Sequence, residues 1–210
     1  MNNPLGRGVS GDVALFVDPK THRKFAIKYS KNHKLLKEAM LHFDLYNKLP
    51  SSCKQFISKP FKPTKAMIAS LPGYYIHAME YIDGAELKSY LISKQFSKKI
   101  KMCLIKQLRK VILCLWKNGF IHADLHLHNV MVVKSKTKIN KLNIKLIDFG
   151  HSKKVVPLRK VSEKKRWFQN QWDLYLNEQK YPVGNPNIVV FGTKLPMYAK
   201  THKNIIDKII

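Results

Sequence analysis

Between an amphipathic stretch at Ser97–Asn118 and an apolar run at Val130–Val133, the chain reads Ile-His-Ala-Asp-Leu-His-Leu-His-Asn over Ile121–Asn129. A helix must hand over to a strand through a short connection that gathers one carboxylate, one side-chain amide and three histidines. Reactive groups commonly sit on such connections, because a loop can aim side chains that the flanking scaffold holds still. Two chemistries compete for the segment. His122, His126 and His128 could hold a metal such as zinc. Alternatively, Asp124 and Asn129 could be the base and the metal ligand of a phosphoryl-transfer site.

A chain of 210 residues suits one compact domain, or two small ones sharing a cleft, with a sizeable core. Its 45% apolar content is globular rather than disordered. No apolar run approaches the ~18 residues of a transmembrane helix, and Met-Asn-Asn-Pro-Leu-Gly at the start predicts no signal peptide. Cys53, Cys103 and Cys114 share no close metal spacing. Cys103 and Cys114 fall in the apolar helical pattern, which predicts buried free thiols in a reducing compartment and so a cytoplasmic protein. Lys and Arg number 39 against 13 Asp and Glu, a net charge of +26. Codon use rich in A and T would raise lysine but does not explain the scarcity of acids. A field of this sign attracts polyanions: nucleic acid, acidic lipid headgroups or an acidic protein partner. The lysines are spread out with few aromatics between them, so no dedicated nucleic-acid motif is present.

Gly6-Arg7-Gly8-Val9-Ser10-Gly11-Asp12-Val13 is a GxGxxG segment. A dinucleotide fold needs a strand before such glycines and a helix after them. Here the following residues predict strand, turn, strand: Val13–Val17, Asp18-Pro19-Lys20, Phe25–Tyr29. Such a hairpin can lie close over phosphates. Phe25-Ala26-Ile27-Lys28 ends an apolar strand on a lysine, and His33–Leu49 has helical spacing through Leu35, Leu36, Ala39, Met40, Phe43 and Tyr46. Within that helix Glu38 stands among Lys31, Lys34 and Lys37, where it could balance charge locally or reach Lys28. A strand is expected near Ala66–Ala69 and another at Tyr74–Tyr81. Asp83-Gly84 then marks a turn, and Leu87–Ile92 begins a helix. The seam falls there, dividing 1–82 from 83–210. In Ser97–Asn118, Ile100, Leu104, Leu108, Val111, Ile112 and Leu115 form a core stripe. After a basic loop at Lys134–Asn143, Lys145-Leu146-Ile147-Asp148-Phe149-Gly150 closes a second short strand. A further helix is expected around Glu163–Gln179, followed by a Pro/Gly/Asn-rich stretch at Tyr181–Pro186.

Taken in order, these parts over about residues 4–150 resemble the protein-kinase-like fold: glycine loop, strand lysine, helix glutamate, His-x-Asp-x-x-x-x-Asn, Asp-Phe-Gly. The resemblance implies an α+β, two-lobed architecture. A small antiparallel β lobe with one helix would precede a reduced, mainly helical lobe. It also implies ATP and Mg²⁺ as cofactors. Gly6, Gly8 and Gly11 would close on the β- and γ-phosphates, and Val13 and Ala26 would line the nucleotide site. Lys28, held by Glu38, would pair with the α- and β-phosphates. Asp148 would take Mg²⁺ and Asn129 a second ion, while Asp124 would accept the proton of the attacking hydroxyl. Met79 would guard the back of the adenine pocket, Glu80 and Ile82 would offer backbone groups to the adenine edge, and Glu86 would reach the ribose. Asp173 resembles an acid that braces the catalytic loop. His122 then stands where the family has a structural histidine. His126 stands where ordinary serine/threonine kinases carry lysine and where small-molecule phosphotransferases and several atypical kinases carry histidine.

The chain departs from the pattern in four places. Ala123 replaces an arginine that reads a phosphorylated activation loop. Glu38 follows Lys28 closely, Asp148 and Asp173 are near in sequence, and no Ala-Pro-Glu follows Asp-Phe-Gly. These cuts resemble the minimal kinases of bacterial effectors and large DNA viruses, which would place the protein in a host cytoplasm or a virion. Three functions follow: a Ser/Thr protein kinase acting on a protein substrate, a small-molecule kinase of the aminoglycoside-phosphotransferase-like type, or a non-catalytic scaffold binding polyanions or acidic partners.

Overall fold

The computed structural model describes residues 4–8, 10–135 and 142–154. The chain divides into two compact units, Met1–Asp83 and Gly84–Ile210.

The first unit is built on an antiparallel sheet of five strands: β1 (Pro4–Gly8), β2 (Gly11–Val17), β3 (Lys24–Ser30), β4 (Pro60–Phe61) and β5 (Tyr75–Glu80). The spatial order is β1-β2-β3-β5-β4. Alternation along the strands sends neighbouring residues to opposite faces. Ala14, Phe16, Phe25, Ile27, Ile76 and Ala78 form one apolar layer with Met67 of helix α3 (Lys65–Ser70). The opposite face carries Lys28 and His77, paired in register, and receives helix α1 (Lys34–Lys48). A short helix, α2 (Ser51–Lys54), follows α1.

Gly11 closes the first hairpin at φ +143°, and a Cβ there would sit 2.7 Å from the Tyr29 carbonyl oxygen. Both the backbone conformation and the close approach therefore require glycine. Above Gly6 a Cβ would meet nothing within 4 Å.

Two expectations for this unit are corrected. Ala66–Ala69 is helical, not a strand; the strand of this segment is β4. Thr64 caps α3 by accepting from the Met67 N–H, and a four-residue apolar run does not by itself separate helix from strand. Helix α1 forms as expected but buries Leu35, Glu38, His42 and Leu45, whereas Leu36 and Met40 are exposed. Its inward face is part polar because Glu38 and His42 find partners on the sheet.

The second unit holds β6 (Ala85–Glu86), α4 (Leu87–Ile92), α5 (Lys98–Lys117), β7 (Phe120–Ile121), β8 (Val130–Lys134), β9 (Leu142–Leu146) and β10 (Lys153–Lys154). Strands β6-β8-β9 form one sheet, and β10 pairs with β7. Helix α5 runs from a Ser97 cap, which accepts from the Ile100 N–H, to Asn118. Leu104, Leu108, Val111, Ile112 and Leu115 are buried along it as the spacing predicts, while Ile100 in the first turn is exposed. The Gln107 amide clasps β9, donating to the Leu142 carbonyl (2.9 Å) and accepting from the Ile144 N–H (3.2 Å).

Cys103 is a free and exposed cysteine, whereas Cys114 is buried. The expectation of a buried thiol therefore fails at Cys103. No helix among the described residues is long and apolar enough to cross a membrane. Val9, the stretch Glu163–Gln179 with Asp173, and Tyr181–Pro186 lie outside the described residues.

Candidate active site

Each unit carries its own share of the candidate residues. In the first, β3 presents Lys28 and α1 presents Glu38. The ammonium lies 3.0 and 2.9 Å from the two carboxylate oxygens. Both groups are buried, at 3% and 6% exposure, so this is a dry, charge-assisted contact. Val13 sits opposite Lys28 in the β2–β3 ladder, and Ala26 sits opposite Met79 in the β3–β5 ladder. The Glu80 N–H is donated to the Lys59 carbonyl (2.8 Å), and its carboxylate accepts from the Lys59 N–H (3.2 Å). Ile82 follows β5 and is half-buried.

The loop 122–129 of the second unit is laced to the segment 147–152. His122 Nε2 donates to the Ile147 carbonyl (2.9 Å), and the Ile147 N–H donates to the Asn129 carbonyl (3.0 Å). A carbonyl only accepts, so the proton on His122 is on Nε2. Ser152 Oγ donates to the His122 carbonyl (3.2 Å), and the wholly buried Phe149 ring lies 5.0 Å from the His122 ring. Asp148 is thereby fixed between an anchored Ile147 and an anchored Phe149. Its φ is +59° and that of Ala123 is +60°; each is a left-handed, strained state for a residue with a side chain, and such outliers cluster at working sites.

Asn129 Nδ2 donates to the Asp124 carbonyl (2.9 Å) and to its Oδ2 (3.3 Å). The sequence-selected pair is therefore in direct contact, and the amide nitrogen is spent on Asp124. The three histidines do not converge on one ion. His122 serves Ile147, and His126 Nε2 lies 3.8 Å from Asp124 Oδ2. His128 donates from Nδ1 to Glu86 and accepts at Nε2 from Lys88 (3.4 Å). Glu86, selected for the ribose, is thus already oriented by His128.

Burial lowers the pKa of both His122 and His126. For His122 it is opposed by the Ile147 hydrogen bond, and for His126 by the nearby Asp124 carboxylate. A histidine whose folded value lies below the ordinary 6.5 stabilises the fold above that value, and the contribution is lost as pH falls through the folded value. Scanning calorimetry between pH 7.5 and 5 is expected to show the melting midpoint falling once pH drops below about 6.5. A midpoint flat across that window would contradict the neutral state of the buried His122 and half-buried His126 rings.

Sequence reasoning passed over His42 and His77 behind the Lys28–Glu38 pair, and the Glu86–His128–Lys88 chain. Signals existed for the first two: His42 stands one helical turn after Glu38, and His77 shares the Met79 face of its strand.

Residues 1–171 match a family model described as the protein kinase domain. Over 80 residues, 37% of this chain, the sequence is 39% identical to a protein named as a probable serine/threonine-protein kinase of Dictyostelium discoideum. Over 152 residues, 70% of the chain, it is 31% identical to serine/threonine-protein kinase 33 of Mus musculus. The chain spans 12% and 30% of the lengths of these two relatives.

Proposed function

Because this chain belongs to the protein kinase family, we propose that it transfers the γ-phosphate of ATP to a serine or threonine hydroxyl of a protein substrate. The observation that carries this reading is the contact of Asn129 with Asp124 on a loop whose backbone is bonded to the residue preceding Asp148. It holds a carboxylate for the nucleophile and two oxygen ligands for a cation in one rigid arrangement, as phosphoryl transfer requires.

The donor set fits Mg²⁺, which takes hard oxygen ligands. Asp148 offers a carboxylate, and Asn129, its NH₂ turned to Asp124, offers Oδ1. When bound, Mg²⁺ would neutralise charge on the phosphates. Lys28, steadied by Glu38, would hold the α- and β-phosphates. The open space above Gly6 would let the hairpin backbone approach the phosphates, with Gly8 beside it. Met79, Glu80 and Ile82 would meet the adenine, and Glu86, aligned by His128, a ribose hydroxyl. Asp124 would orient the attacking hydroxyl and take its proton as the new O–P bond forms. The bond from the γ-phosphorus to the bridging oxygen breaks, and ADP leaves with that electron pair. The positive charge of the chain would draw an acidic protein substrate, with salt weakening the encounter.

His126 beside Asp124 supports a second reading, transfer to a small hydroxyl compound. The test is phosphate transfer from labelled ATP to a protein mixture and to a panel of small alcohols and aminoglycosides. Labelled protein in the wild type, reduced about a hundredfold or more in Asp124→Asn, is the expected result. Labelling of small compounds alone would favour the second reading, and equal labelling in both proteins would sink catalysis by this site.

A further inference from the structure

Behind the Lys28–Glu38 pair, the first unit buries two histidines for which the phosphate chemistry has no use. His42 is 0% and His77 1% exposed. They form a chain. His42 Nε2 lies 2.8 Å from the Ser58 carbonyl oxygen, and His42 Nδ1 lies 3.1 Å from His77 Nε2. His77 Nδ1 lies 3.5 Å from Glu38 Oε1.

Donor chemistry counts the protons along this chain. The Ser58 carbonyl can only accept, so His42 Nε2 carries hydrogen. The His42–His77 contact needs a single proton between its two nitrogens. Two neutral imidazoles supply two protons, and both are then placed. The lone pair of His77 Nδ1 would be left facing a buried carboxylate, and that nitrogen has no hydrogen-bond partner among the described residues. A third proton, on His77 Nδ1, turns a repulsive approach into an attraction between opposite charges that can tighten into a charge-assisted hydrogen bond.

We propose that the His42–His77 pair holds three ring protons, and that His77, as the imidazolium, is a positioning residue for Glu38. Lys28 and His77 then grip the same carboxylate from two sides: β3 and β5 both hold α1 through it. His42 and Ser58 act through His77 by fixing which way its ring protons point. This role rests on the reading that Lys28 and Glu38 serve the phosphates of ATP, but the proton count does not.

Long-range ¹H–¹⁵N spectra of the full chain labelled at histidine nitrogens, assigned with His42→Gln and His77→Gln, test the count. Protons on both His77 nitrogens are expected; a bare Nδ1 would overturn the proposal. Steady-state transfer kinetics test the positioning. His77→Leu, which gives Glu38 no donor, is expected to raise KM for ATP about tenfold, the scale of one hydrogen bond to a charged group. His77→Gln, which keeps an N–H for Glu38, is expected to return KM to within about threefold of wild type. Equal losses in the two folded variants would overturn the positioning role. If the wild type transfers no phosphate, the kinase reading fails, and the spectra still decide the proton count.

Discussion

Asp148→Asn should reduce phosphate transfer about a thousandfold or more, the several kcal/mol that a catalytic cation is worth at ~1.4 kcal/mol per tenfold. The amide is close in size to the carboxylate, so the loss should come without unfolding. The Asn oxygen can still accept from the Gly150 N–H, as Asp148 Oδ1 does at 3.3 Å, while Ile147 is bonded at both its N–H and its carbonyl and Phe149 is wholly buried. Melting curves of variant and wild type should therefore nearly coincide while transfer collapses. Raising Mg²⁺ should recover little, because the missing element is a ligand and not the ion. A variant retaining a tenth of wild-type transfer would remove Asp148 from the role of principal cation ligand.

The second large effect concerns stability. Lys28 and Glu38 are both nearly inaccessible to water, and removing one member of a buried ion pair takes from the other its balancing charge. Glu38→Ala is expected to destabilise the protein by about 3–5 kcal/mol, seen as a lower urea midpoint. Replacing both partners by apolar residues, Lys28→Met with Glu38→Leu, should recover most of that loss, since a well-packed apolar pair is often as stable as the ion pair it replaces. Phosphate transfer should stay abolished in the double variant. Together these outcomes would show that the pair is kept for chemistry and not for the fold. A double variant as unstable as Glu38→Ala would show instead that the pair is structural.

How much could be read in advance depended on how local the signal was. The bounds of the helix at Lys98–Lys117 were legible, since its stripe has regular spacing and Ser97 and Asn118 mark its ends, although Ile100 and Cys103, expected on its buried side, are exposed. The turn at Asp83-Gly84 and the helix Leu87–Ile92 were equally plain, as were the hairpin strands around the first glycines. Ala66–Ala69 was not, because its four apolar residues carry no period and the deciding signal was the Thr64 cap before them. The motif residues could be picked out because phosphoryl transfer demands particular groups in a particular order. Their support could not. His42 and His77 lie 35 residues apart and meet only because a helix and a strand pack together. The left-handed backbone at Ala123 has no sequence signature, and at Asp148 the residue type tolerates that region without announcing it; tertiary bonds on either side hold both.

The clasp of Gln107 on β9 has a consequence for partners. A strand at the rim of a sheet offers a row of backbone donors and acceptors that an extended peptide can join. At Leu142 and Ile144 that row is already answered by one side-chain amide, at a rim where no further strand lies among the described residues. This rim is therefore closed to strand addition, and an extended segment of another protein must find its footing elsewhere on the second unit.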